Sequence, residues 1–345
     1  MKKELLAKEQ GQEAADFIAK FADVGTEKTH VVKTVIGFPV EAIEGSDNQS
    51  IVNLNKINDI RGINDFYKLV NSKLERGGFF IGCVETHVQR RKRLLKKYPF
   101  ILAQLYFFFD FVFKRVFPKL LLTQWLYFFI TAGRNRVLSK AESLGRLVFC
   151  GFNIVDVAEI GGLTYFVGVK TGREIPQNNP SFGVFFKMRR VGRNNRPITV
   201  YKFRTMHPYA EYLQGYIYEQ NNLQDGGKFK DDFRITSWGR FMRKFWIDEL
   251  PMVVNLVKGQ IKLVGVRPLS EHYLSLYSDE LKEKRASVKP GLVPPFYADL
   301  PVSLEEIQES EIRYLNAYQA RGIRADLSYF MKAFNNIVFK SARTN

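Results

Sequence analysis

Two adjacent carboxylates, Asp248 and Glu249, stand in a stretch of the sequence that is otherwise rich in cations and apolar residues. Pro251 follows them and fits the first turn of a helix, because a missing N–H costs nothing at that position. We therefore expect a helix over LPMVVNLVK that ends at Gly259, with Asp248 at its start, where the helix dipole keeps the carboxylate ionised. An aspartate in this position could cap the helix or attack an electrophile.

Cations are available on both sides of the carboxylate pair. Arg243 precedes it, and Arg267 follows the short strand predicted for IKLVG, so both could return to the carboxylate end and hold a phosphate that Asp248 would otherwise repel. Glu249 could hold a divalent ion, because Mg2+ prefers one or two carboxylates together with phosphate oxygens and waters. The sequence thus predicts a phosphate-handling site that uses Mg2+.

A second basic segment, FKMRRVGRNNRPITVYKFRTM, lies upstream and contains no acidic residue. ITVYKF is typical of a strand and NNR of a turn, so we expect a hairpin. Its cations would line the hairpin mouth, where charge-assisted hydrogen bonds could grip a diphosphate, although a solvated basic hairpin is the alternative. These cations are Lys187, Arg189, Arg190, Arg193, Arg196, Lys202 and Arg204.

Five motifs in this part of the chain resemble the bacterial sugar transferase family, the monotopic phosphoglycosyl transferases. They recur in the family's order and spacing between about residues 181 and 295, so we identify the sequence as a member of that family. The motifs are RRVG at 189–192, YKFRTM at 201–206, RITSWGRFMRK at 234–244, DELP at 248–251 and VGVRPL at 264–269.

The resemblance implies a two-step transfer at the cytoplasmic face of the bacterial inner membrane, with Mg2+ as cofactor. The aspartate of DELP attacks the sugar-linked phosphorus of a nucleoside diphosphate sugar, which we expect to be a UDP-sugar, and a nucleoside monophosphate leaves. A polyprenyl phosphate then accepts the phosphosugar. The product would initiate a lipid-linked glycan of the capsule, exopolysaccharide or O-antigen type.

Carried over to this sequence, the resemblance makes Asp248 the nucleophile and Glu249 the Mg2+-associated glutamate. Electrostatics would supply most of the catalysis, because negatively charged reactants meet a negatively charged nucleophile. The alternative is a catalytically idle, membrane-bound scaffold in which Asp248 only caps a helix. The residues expected to bind phosphate are Arg243, Arg267, Lys202, Arg204 and Arg190.

The sequence also departs from the family pattern. Phe117 stands where the family's membrane element has a serine, and Val266 where it has a proline. KPGLVPPFYADLP replaces the usual downstream pattern, and Glu311 falls where an aspartate is common. The identity of the donor sugar therefore cannot be carried over.

The region before these motifs must position them, and it has a regular order of predicted elements. A strand at 50–55, a helix over INDIRGINDFYKLVNSKL and a buried strand, GGFFIGCV, are followed by a helix from a capping box at Ser139 to about Cys150, and by a hairpin around Gly161. This order resembles the C-terminal half of a class I methyltransferase over residues 50–170. No GxGxxG loop follows a strand, so we expect a scaffold without methyl-transfer chemistry.

Between those strands, QRRKRLLKK at 89–97 leads into a long apolar segment. Basic residues followed by apolar ones suggest the edge of an anionic membrane. Four charged residues interrupt the segment, leaving stretches below the ~20 residues that a crossing requires. We expect two helices broken near Pro118 in or dipping into one leaflet, with Lys and Arg reaching the lipid phosphates, and the alternative is a hairpin buried against the protein. The interrupting residues are Asp110, Lys114, Arg115 and Lys119.

These elements predict a mixed α/β (α+β) chain. Residues 1–98 and 134–172 would form a Rossmann-like half domain, residues 99–133 inserted membrane-associated helices, and residues 173–345 a compact phosphoglycosyl transferase catalytic domain. The last part should end in two amphipathic helices.

Composition narrows the class of partner. The chain has 345 residues, a formal net charge of +17, 46% hydrophobic and 14% aromatic residues, which argues against disorder and for an anionic partner. A nucleic-acid partner is not expected, because no helix-turn-helix, zinc-finger or RRM signature is present. Cys83 and Cys150 form no disulfide framework, and the N-terminus has no signal-peptide pattern, so we expect a reducing compartment. Partners are then the donor, the polyprenyl phosphate and membrane lipid, with a homodimer left open.

Overall fold

The structure is a computed structural model that describes residues 2–177, 180, 183–220 and 232–339. The chain divides into two compact units. Unit 1 comprises Met1–Phe182 and His207–Gln220, and unit 2 comprises Gly183–Met206 and Asn221–Asn345. Part of the predicted catalytic range, residues 221–231, lies outside the described residues.

The division differs from the predicted domains at residues 173–182 and at residues 207–220, which were assigned to the catalytic domain but belong to unit 1. The anchor of residues 207–220 is Tyr209, whose side chain is fully buried. Its ring contacts Phe149 with centroids 5.4 Å apart, and a Cβ at Gly145 would come within 2.3 Å of its carbonyl oxygen. Only the absence of a side chain at Gly145 permits this approach, a relation between distant residues that local patterns do not reveal.

Unit 1 contains a five-stranded sheet in the order β1-β2-β3-β5-β4. The first three strands run parallel, whereas β5 is antiparallel to both β3 and β4. The expected strands and the hairpin at Gly161 are confirmed within this sheet, and the mixed α/β class is confirmed with them. The strands are β1 (Thr29–Val32), β2 (Asn48–Lys56), β3 (Leu74–Val84), β4 (Phe152–Ile160) and β5 (Leu163–Lys170).

Several helices of unit 1 pack against this sheet. Half of the predicted capping box is present: Ser139 Oγ accepts a hydrogen bond from the backbone N–H of Glu142 at 3.0 Å, whereas the Glu142 carboxylate pairs with Arg115 and Lys119. The predicted helix after β2 instead begins with a 3₁₀ turn at Ile57–Asp59, where the buried Asn58 amide binds backbone groups of two other segments. The helices of unit 1 are α1 (Lys2–Gln10), α2 (Gln12–Ala19), α3 (Phe38–Glu41), α4 (Ile63–Lys73), α5 (His87–Lys97), α6 (Phe100–Phe111), α7 (Leu121–Thr131), α8 (Lys140–Phe149) and α9 (Gln214–Gln220).

The inserted segment forms α6 and α7, separated by a π-helical turn at Val112–Val116 and a 3₁₀ turn that contains Pro118. The break therefore falls where the proline predicted it. No helix in the described part of the chain is both long and apolar enough to cross a membrane. The alternative of a hairpin buried in the protein is wrong, because the outer faces of both helices are exposed.

The four charges that interrupt this segment point inward. Asp110 pairs with Arg90 at 2.9 Å and with Lys114 at 2.8 Å. Arg115 and Lys119 both pair with Glu142, at 3.0 and 3.3 Å. The expectation that these cations reach outward to lipid phosphates is therefore wrong, because a buried carboxylate on α8 offers them a closer partner.

Unit 2 is built on a small hairpin and a helical layer. The predicted basic hairpin is confirmed as β6 (Phe185–Val191) paired antiparallel with β7 (Pro197–Phe203). The short strand predicted for IKLVG is β8 (Lys262–Val264), which pairs parallel with β9 (Gly291–Val293). The helices are α10 (Ser237–Lys244), α11 (Val253–Val257), α12 (Glu271–Ser275), α13 (Asp279–Ala286), α14 (Phe296–Asp299), and the two expected at the end, α15 (Leu304–Arg321) and α16 (Ile323–Phe339).

Candidate active site

The carboxylate pair lies in a tight turn rather than at the start of an α-helix. Residues Ile247–Met252 form a 3₁₀ helix that leads directly into α11, so Pro251 lies within it instead of opening an α-helix. Trp246, which precedes the turn, has the left-handed backbone conformation with φ 57°. Propensity predicts helix here but does not predict the left-handed residue that sets the direction of the turn.

The hairpin and the turn share a small core. Val200 of β7 packs with Met252 and Ile261, and all three side chains are buried. Because alternate residues of a strand share a face, Lys202 lies on the same face of β7 as Val200 and is directed toward the turn. Asn255 of α11 reinforces the junction, since its amide donates to the carbonyl of Thr199 at 2.6 Å.

Lys202 and Glu249 form an ion pair between Nζ and Oε1, and each side chain is 18% exposed. The sequence predicts that Lys202 binds a substrate phosphate and that Glu249 binds Mg2+. In the structure the two side chains pair with each other. The pairing occupies only one carboxylate oxygen of Glu249. A charge-assisted bond of this kind, away from bulk water, fixes the lysine beside the turn.

Arg243 is held near the turn by α10. The helix is capped by Thr236, whose Oγ1 accepts from the N–H of Gly239 at 2.7 Å. At Gly239 a Cβ would come within 2.0 Å of the carbonyl oxygen of Thr205, so α10 lies directly against the end of β7. Arg243 Nε donates to Thr205 Oγ1 at 3.0 Å as a result.

Electrostatics at Asp248 differ from the prediction that a helix dipole keeps it ionised. Burial raises the pKa of the Asp248 carboxyl above its ordinary value, and the neighbouring Glu249 raises it further, while Lys202 and Arg243 act to lower it. Burial likewise lowers the pKa of Arg243, against the opposing effect of Asp248. The dominant influence on the carboxylate is thus desolvation, and the two cations make its charged form tolerable.

Arg190 and Arg267 form a second cationic group. Burial and the nearby Arg267 charge lower the pKa of Arg190. Arg285 donates to the carbonyl of Arg267 at 2.5 Å and forms an ion pair with the buried Glu311, which fixes the loop that carries Arg267. The departure at Glu311 thus coincides with a buried structural role.

Aromatic rings connect this second group to the turn. The Arg267 guanidinium lies over the ring of Phe296 at 5.9 Å, and Phe296 contacts Tyr297 with centroids 4.3 Å apart. Tyr297 in turn contacts Trp246 at 4.7 Å. No direct contact between Arg267 and Asp248 is recorded among the described residues, so a shared phosphate site for Arg267 and Asp248 stays a prediction.

The last candidate, Arg204, lies just beyond the end of β7. Its Nε donates to the carbonyl of Gly183 at 3.0 Å, and its guanidinium lies over the ring of Phe186 at 5.2 Å. The structure therefore brings Asp248, Glu249, Lys202 and Arg243 together. It places Arg190 beside Arg267, and Arg204 at the open end of the hairpin.

Sequence reasoning missed the residues that hold this arrangement, Thr205, Gly239 and Asn255. The glycine and the cap at Thr236 lie inside the RITSWGRFMRK motif, and the Thr-x-x-Gly spacing could have marked the start of α10. Asn255 offered no such signal, because an asparagine among valines and leucines is equally compatible with an exposed position.

An exposed apolar stripe begins beside the two carboxylates. Its side chains recur at helical spacing, so they share one side of the turn and of α11. The stripe consists of Leu250, Val253, Val254 and Val257, which are 58%, 46%, 47% and 84% exposed. The site can therefore meet an anionic group and a hydrocarbon group at the same time.

The oxygen donors of the turn are compatible with Mg2+. Two adjacent carboxylates supply hard oxygen ligands, and Glu249 has its Oε2 outside the recorded pairing with Lys202. Among the described residues there is no group of three or more His, Cys, Asp or Glu side chains that could hold a metal ion. A Mg2+ ion would therefore take part of its coordination from substrate phosphate and water.

Comparison with known proteins agrees with the motifs. Residues 170–340 match the family model for bacterial sugar transferase. The chain is 41% identical over 109 residues to the uncharacterized sugar transferase EpsL of Bacillus subtilis, which covers 32% of this chain and 48% of EpsL.

Two further relatives have names that state a reaction. One is the UDP-N-acetylgalactosamine-undecaprenyl-phosphate N-acetylgalactosaminephosphotransferase of Aeromonas hydrophila, 35% identical over 113 residues, or 32% of this chain and 24% of the relative. The other is the UDP-glucose:undecaprenyl-phosphate glucose-1-phosphate transferase of Xanthomonas campestris, 33% identical over 132 residues, or 38% of this chain and 24% of the relative. The chain spans about half or less of the length of these curated relatives.

Among solved structures, a SAM-dependent methyltransferase from Thermotoga maritima matches 38% of this chain and 61% of its own chain at 12% identity, with a TM-score of 0.24. That likeness is too low to support an assignment. The resemblance of residues 50–170 to a methyltransferase half stays a prediction.

Proposed function

The chain belongs, through residues 170–340, to the bacterial sugar transferase family, and on that premise we propose that it moves a phosphosugar from a nucleoside diphosphate sugar to a polyprenyl phosphate. The donor we propose is a UDP-sugar, as in the names of two relatives. The observation that carries the proposal is the desolvated Asp248 carboxylate with Lys202 and Arg243 acting on its charge.

In the first step, a carboxylate oxygen of Asp248 attacks the phosphorus that bears the sugar. The new bond joins that oxygen to phosphorus, the phosphoanhydride bond breaks, and the nucleoside monophosphate leaves with the bridging oxygen. The ionised carboxylate is required, and its partial desolvation makes it more reactive than an aspartate in water. Lys202 and Arg243 keep that ionised form populated.

In the second step, a phosphate oxygen of the polyprenyl phosphate attacks the same phosphorus. The bond from phosphorus to Asp248 breaks, which regenerates the carboxylate, and the product is a polyprenyl diphosphate sugar. The apolar stripe that begins at Leu250 supports this acceptor, because a hydrocarbon chain attached to the phosphate could follow it.

The surrounding residues mainly stabilise the negative charges of the carboxylate and of the substrate phosphates. Arg243 and Lys202 serve the reacting phosphate, while Arg190, Arg267 and Arg204 serve the remaining phosphate groups of donor and acceptor. Glu249 would hold a Mg2+ ion together with substrate phosphate oxygens. When bound, the ion supplies charge neutralisation at those oxygens.

The acceptor determines the location we propose, the cytoplasmic face of the bacterial inner membrane, where a lipid-linked phosphate and a cytoplasmic nucleotide sugar can meet. The product would initiate a capsule, exopolysaccharide or O-antigen type of glycan. The competing function is an idle membrane-bound scaffold, which predicts no turnover whatever donor is supplied.

The test is to incubate membranes containing the full chain with polyprenyl phosphate, Mg2+ and a panel of UDP-sugars, and to measure released UMP. We expect UMP with one or a few sugars, dependent on polyprenyl phosphate for multiple turnovers. The Asp248→Asn variant should lower the rate by at least about 10³-fold, as loss of a catalytic nucleophile does. Absence of UMP with every donor, or full turnover by the variant, would reject the proposal.

A further inference from the structure

Trp246, two residues before Asp248, has two features that are unfavourable for a tryptophan. Its backbone has the left-handed conformation, with φ 57°, in which the Cβ of any residue other than glycine is crowded. Its indole Nε1 is enclosed and has no hydrogen-bond partner in the part of the chain that the structure describes. A buried indole N–H usually has a partner, and backbone strain of this kind collects at functional sites. Both features point to a function for this side chain.

The backbone at this position does not require a tryptophan. Residue 246 follows the end of α10, where its N–H donates to the carbonyl of Arg243 at 3.4 Å and its carbonyl accepts from the N–H of Glu249 at 3.1 Å. A left-handed residue at the end of a helix is usually glycine, which adopts this conformation without strain. Glycine would therefore make the same turn toward Asp248, so the reason for Trp246 lies in its side chain.

The side chain of Trp246 belongs to an aromatic group that also contains Phe296 and Tyr297. The Trp246 and Tyr297 rings have centroids 4.7 Å apart, and the Tyr297 and Phe296 rings have centroids 4.3 Å apart. The backbone that carries the group is fixed, because Asn336 of α16 donates to the carbonyl of Tyr297 at 3.0 Å. Leu300, which follows α14, is also left-handed, with φ 54°. Both segments that supply these rings therefore contain a strained residue.

Packing alone does not account for the indole. Tyr297 is buried, while Trp246 and Phe296 are each half-buried, so part of the aromatic group is accessible to solvent. A phenylalanine at position 246 could cover Tyr297 without enclosing an N–H that lacks an acceptor. The indole is therefore suited to a partner that supplies an apolar face and an oxygen acceptor at once.

The reaction proposed for Asp248 indicates which part of the donor that partner is. The phosphorus that Asp248 attacks carries the sugar, so the sugar is the part of the donor bound next to the turn that follows Trp246. The sugar also stays on the protein when the nucleoside monophosphate leaves. A pyranose ring has a face of C–H groups that an aromatic ring can cover, and it has hydroxyl oxygens that accept from an indole N–H.

We propose that Trp246 binds the sugar of the nucleotide sugar, with the indole ring against a C–H face of the sugar and Nε1 donating to a sugar oxygen. The inference rests on the proposed function and deepens it, because it makes Trp246 a determinant of the sugar that the chain accepts. A sugar that places an oxygen at Nε1 satisfies this donor, whereas an epimer that does not leaves it unpaired. Two epimers should therefore differ in kcat/KM partly through this one bond.

The first experiment follows Trp246 by fluorescence. The chain has three tryptophans, so Trp125→Phe with Trp238→Phe leaves Trp246 as the only indole. Asp248→Asn is added so that the donor binds without reacting, and the full chain is titrated with each UDP-sugar and with UMP in the presence of Mg2+. We expect at least one UDP-sugar to change the emission and UMP to change it little.

This measurement detects binding, so its outcome is separate from whether the chain catalyses the transfer. No change of emission with any UDP-sugar would overturn the proposal. An equal change with UMP would assign the ring to the nucleotide instead of the sugar, and would overturn it as well.

The second experiment measures sugar selectivity through UMP release. Trp246→Phe keeps a ring and removes the N–H, so kcat/KM for the preferred donor should fall about 2- to 10-fold, as loss of a hydrogen bond between neutral groups implies. For an epimer that does not use the bond, kcat/KM should change little, so the ratio between the two donors should fall by the same factor. An equal fall for all donors, with an unchanged ratio, would contradict the assignment.

The matched control is Trp238→Phe, the same substitution at a residue of α10 that is 70% exposed. Its donor ratio should equal that of the wild type, and a similar change of the ratio in this variant would count against Trp246. Trp246→Gly removes the whole ring and suits the left-handed backbone, so it should lower the ratio at least as far as Trp246→Phe does. Circular dichroism checks that all three variants are folded, and a wild-type ratio in folded Trp246→Gly would reject the proposal.

Discussion

The chemistry proposed for Asp248 depends on two opposing influences on its carboxylate. Burial disfavours the charged carboxylate and raises its pKa, while Lys202 and Arg243 favour the charged form. A nucleophile needs both, because desolvation increases reactivity but a neutral carboxyl cannot attack. Lys202 has a further role, since its ion pair with Glu249 reduces the repulsion between two neighbouring carboxylates.

Replacing Lys202 should change the pH dependence of turnover. Because Lys202 lowers the pKa of Asp248, its removal raises that pKa, and the ionised nucleophile is then lost at a higher pH as the solution is acidified. Lys202→Met should therefore move the acidic limb of the kcat/KM profile to higher pH. The rate at the optimum should fall by about 10- to 100-fold, as loss of a bond to a charged group of about 1.5–3 kcal/mol implies.

The measurement is UMP release across pH with the preferred donor. A control for loss of positive charge in the same hairpin is Arg189→Met, because Arg189 is 76% exposed and only loosely paired with Glu271 at 3.8 Å. Its acidic limb should stay in place. A limb that does not move in Lys202→Met, or moves to lower pH, would show that Lys202 does not control the charge of Asp248.

At the residue scale, the sequence predicted which residues form the candidate site better than it predicted which of them contact each other. The Asp248-Glu249 pair and the basic hairpin could be recognised as a candidate site from the sequence, because folding alone rarely requires two adjacent carboxylates near so many cations. The pairing of Lys202 with Glu249 was not visible, because it depends on which face of β7 packs against the turn. The raised pKa of Asp248 has the same origin, since burial is a property of the fold and not of the local sequence.

Two elements, the hairpin β6–β7 and the helix α10, position the side chains that are proposed to react. Their contact depends on Gly239, where the backbone of α10 meets the carbonyl of Thr205. Thr205 accepts hydrogen bonds through that carbonyl from Thr236 and through its hydroxyl from Arg243. A shift of α10 would therefore displace Arg243 from the turn.

Gly239→Ala should destabilise unit 2 and lower activity together. A Cβ 2.0 Å from a backbone oxygen forces α10 away from β7, and overpacking of this kind costs about 1–3 kcal/mol. The control is Gly215→Ala, also within a helix, where the new methyl group has no neighbour within 4 Å. Thermal unfolding should show a lower Tm for the first variant and an unchanged or higher Tm for the second.

An unchanged Tm and unchanged UMP release in Gly239→Ala would mean that the close approach does not position Arg243.

At the element scale, most helices and strands were predictable because their apolar periodicity and caps are local features. The 3₁₀ helix at Ile247–Met252 was not predictable, because the same residues are also compatible with an α-helix. The left-handed backbone conformation of Trp246, which precedes it, has no local sequence signal. The inward orientation of Arg115 and Lys119 also depended on a distant carboxylate, Glu142.

Across the whole molecule, the residues of the proposed reaction and the exposed apolar helices lie in different units. Unit 2 carries the motif residues, and unit 1 carries the exposed apolar helices and the cations of α5. The motifs identified the family because they occupy a third of the chain in fixed order. The limits of the units were harder to predict, because residues 207–220 return to unit 1 through Tyr209, whose contact with Phe149 joins residues 60 positions apart.

Folding of the whole chain should tolerate replacement of the proposed nucleophile, which makes Asp248→Asn a usable control. The pKa of Asp248 is raised in the folded state, so its contribution to stability is present below the unfolded pKa and is lost as pH rises through the folded pKa. At neutral pH the ionised carboxylate therefore costs stability, and the neutral amide avoids that cost. The Tm of Asp248→Asn should be equal to or higher than that of the wild type.

The most direct test of the mechanism is intact-mass spectrometry of the full chain after incubation with its UDP-sugar and Mg2+ in the absence of polyprenyl phosphate. We expect a mass increase of one phosphosugar, mapped to the peptide that contains Asp248, removed by added polyprenyl phosphate and absent from the folded Asp248→Asn variant. An adduct that persists in that variant, or turnover without any adduct in the wild type, would contradict a covalent intermediate on Asp248.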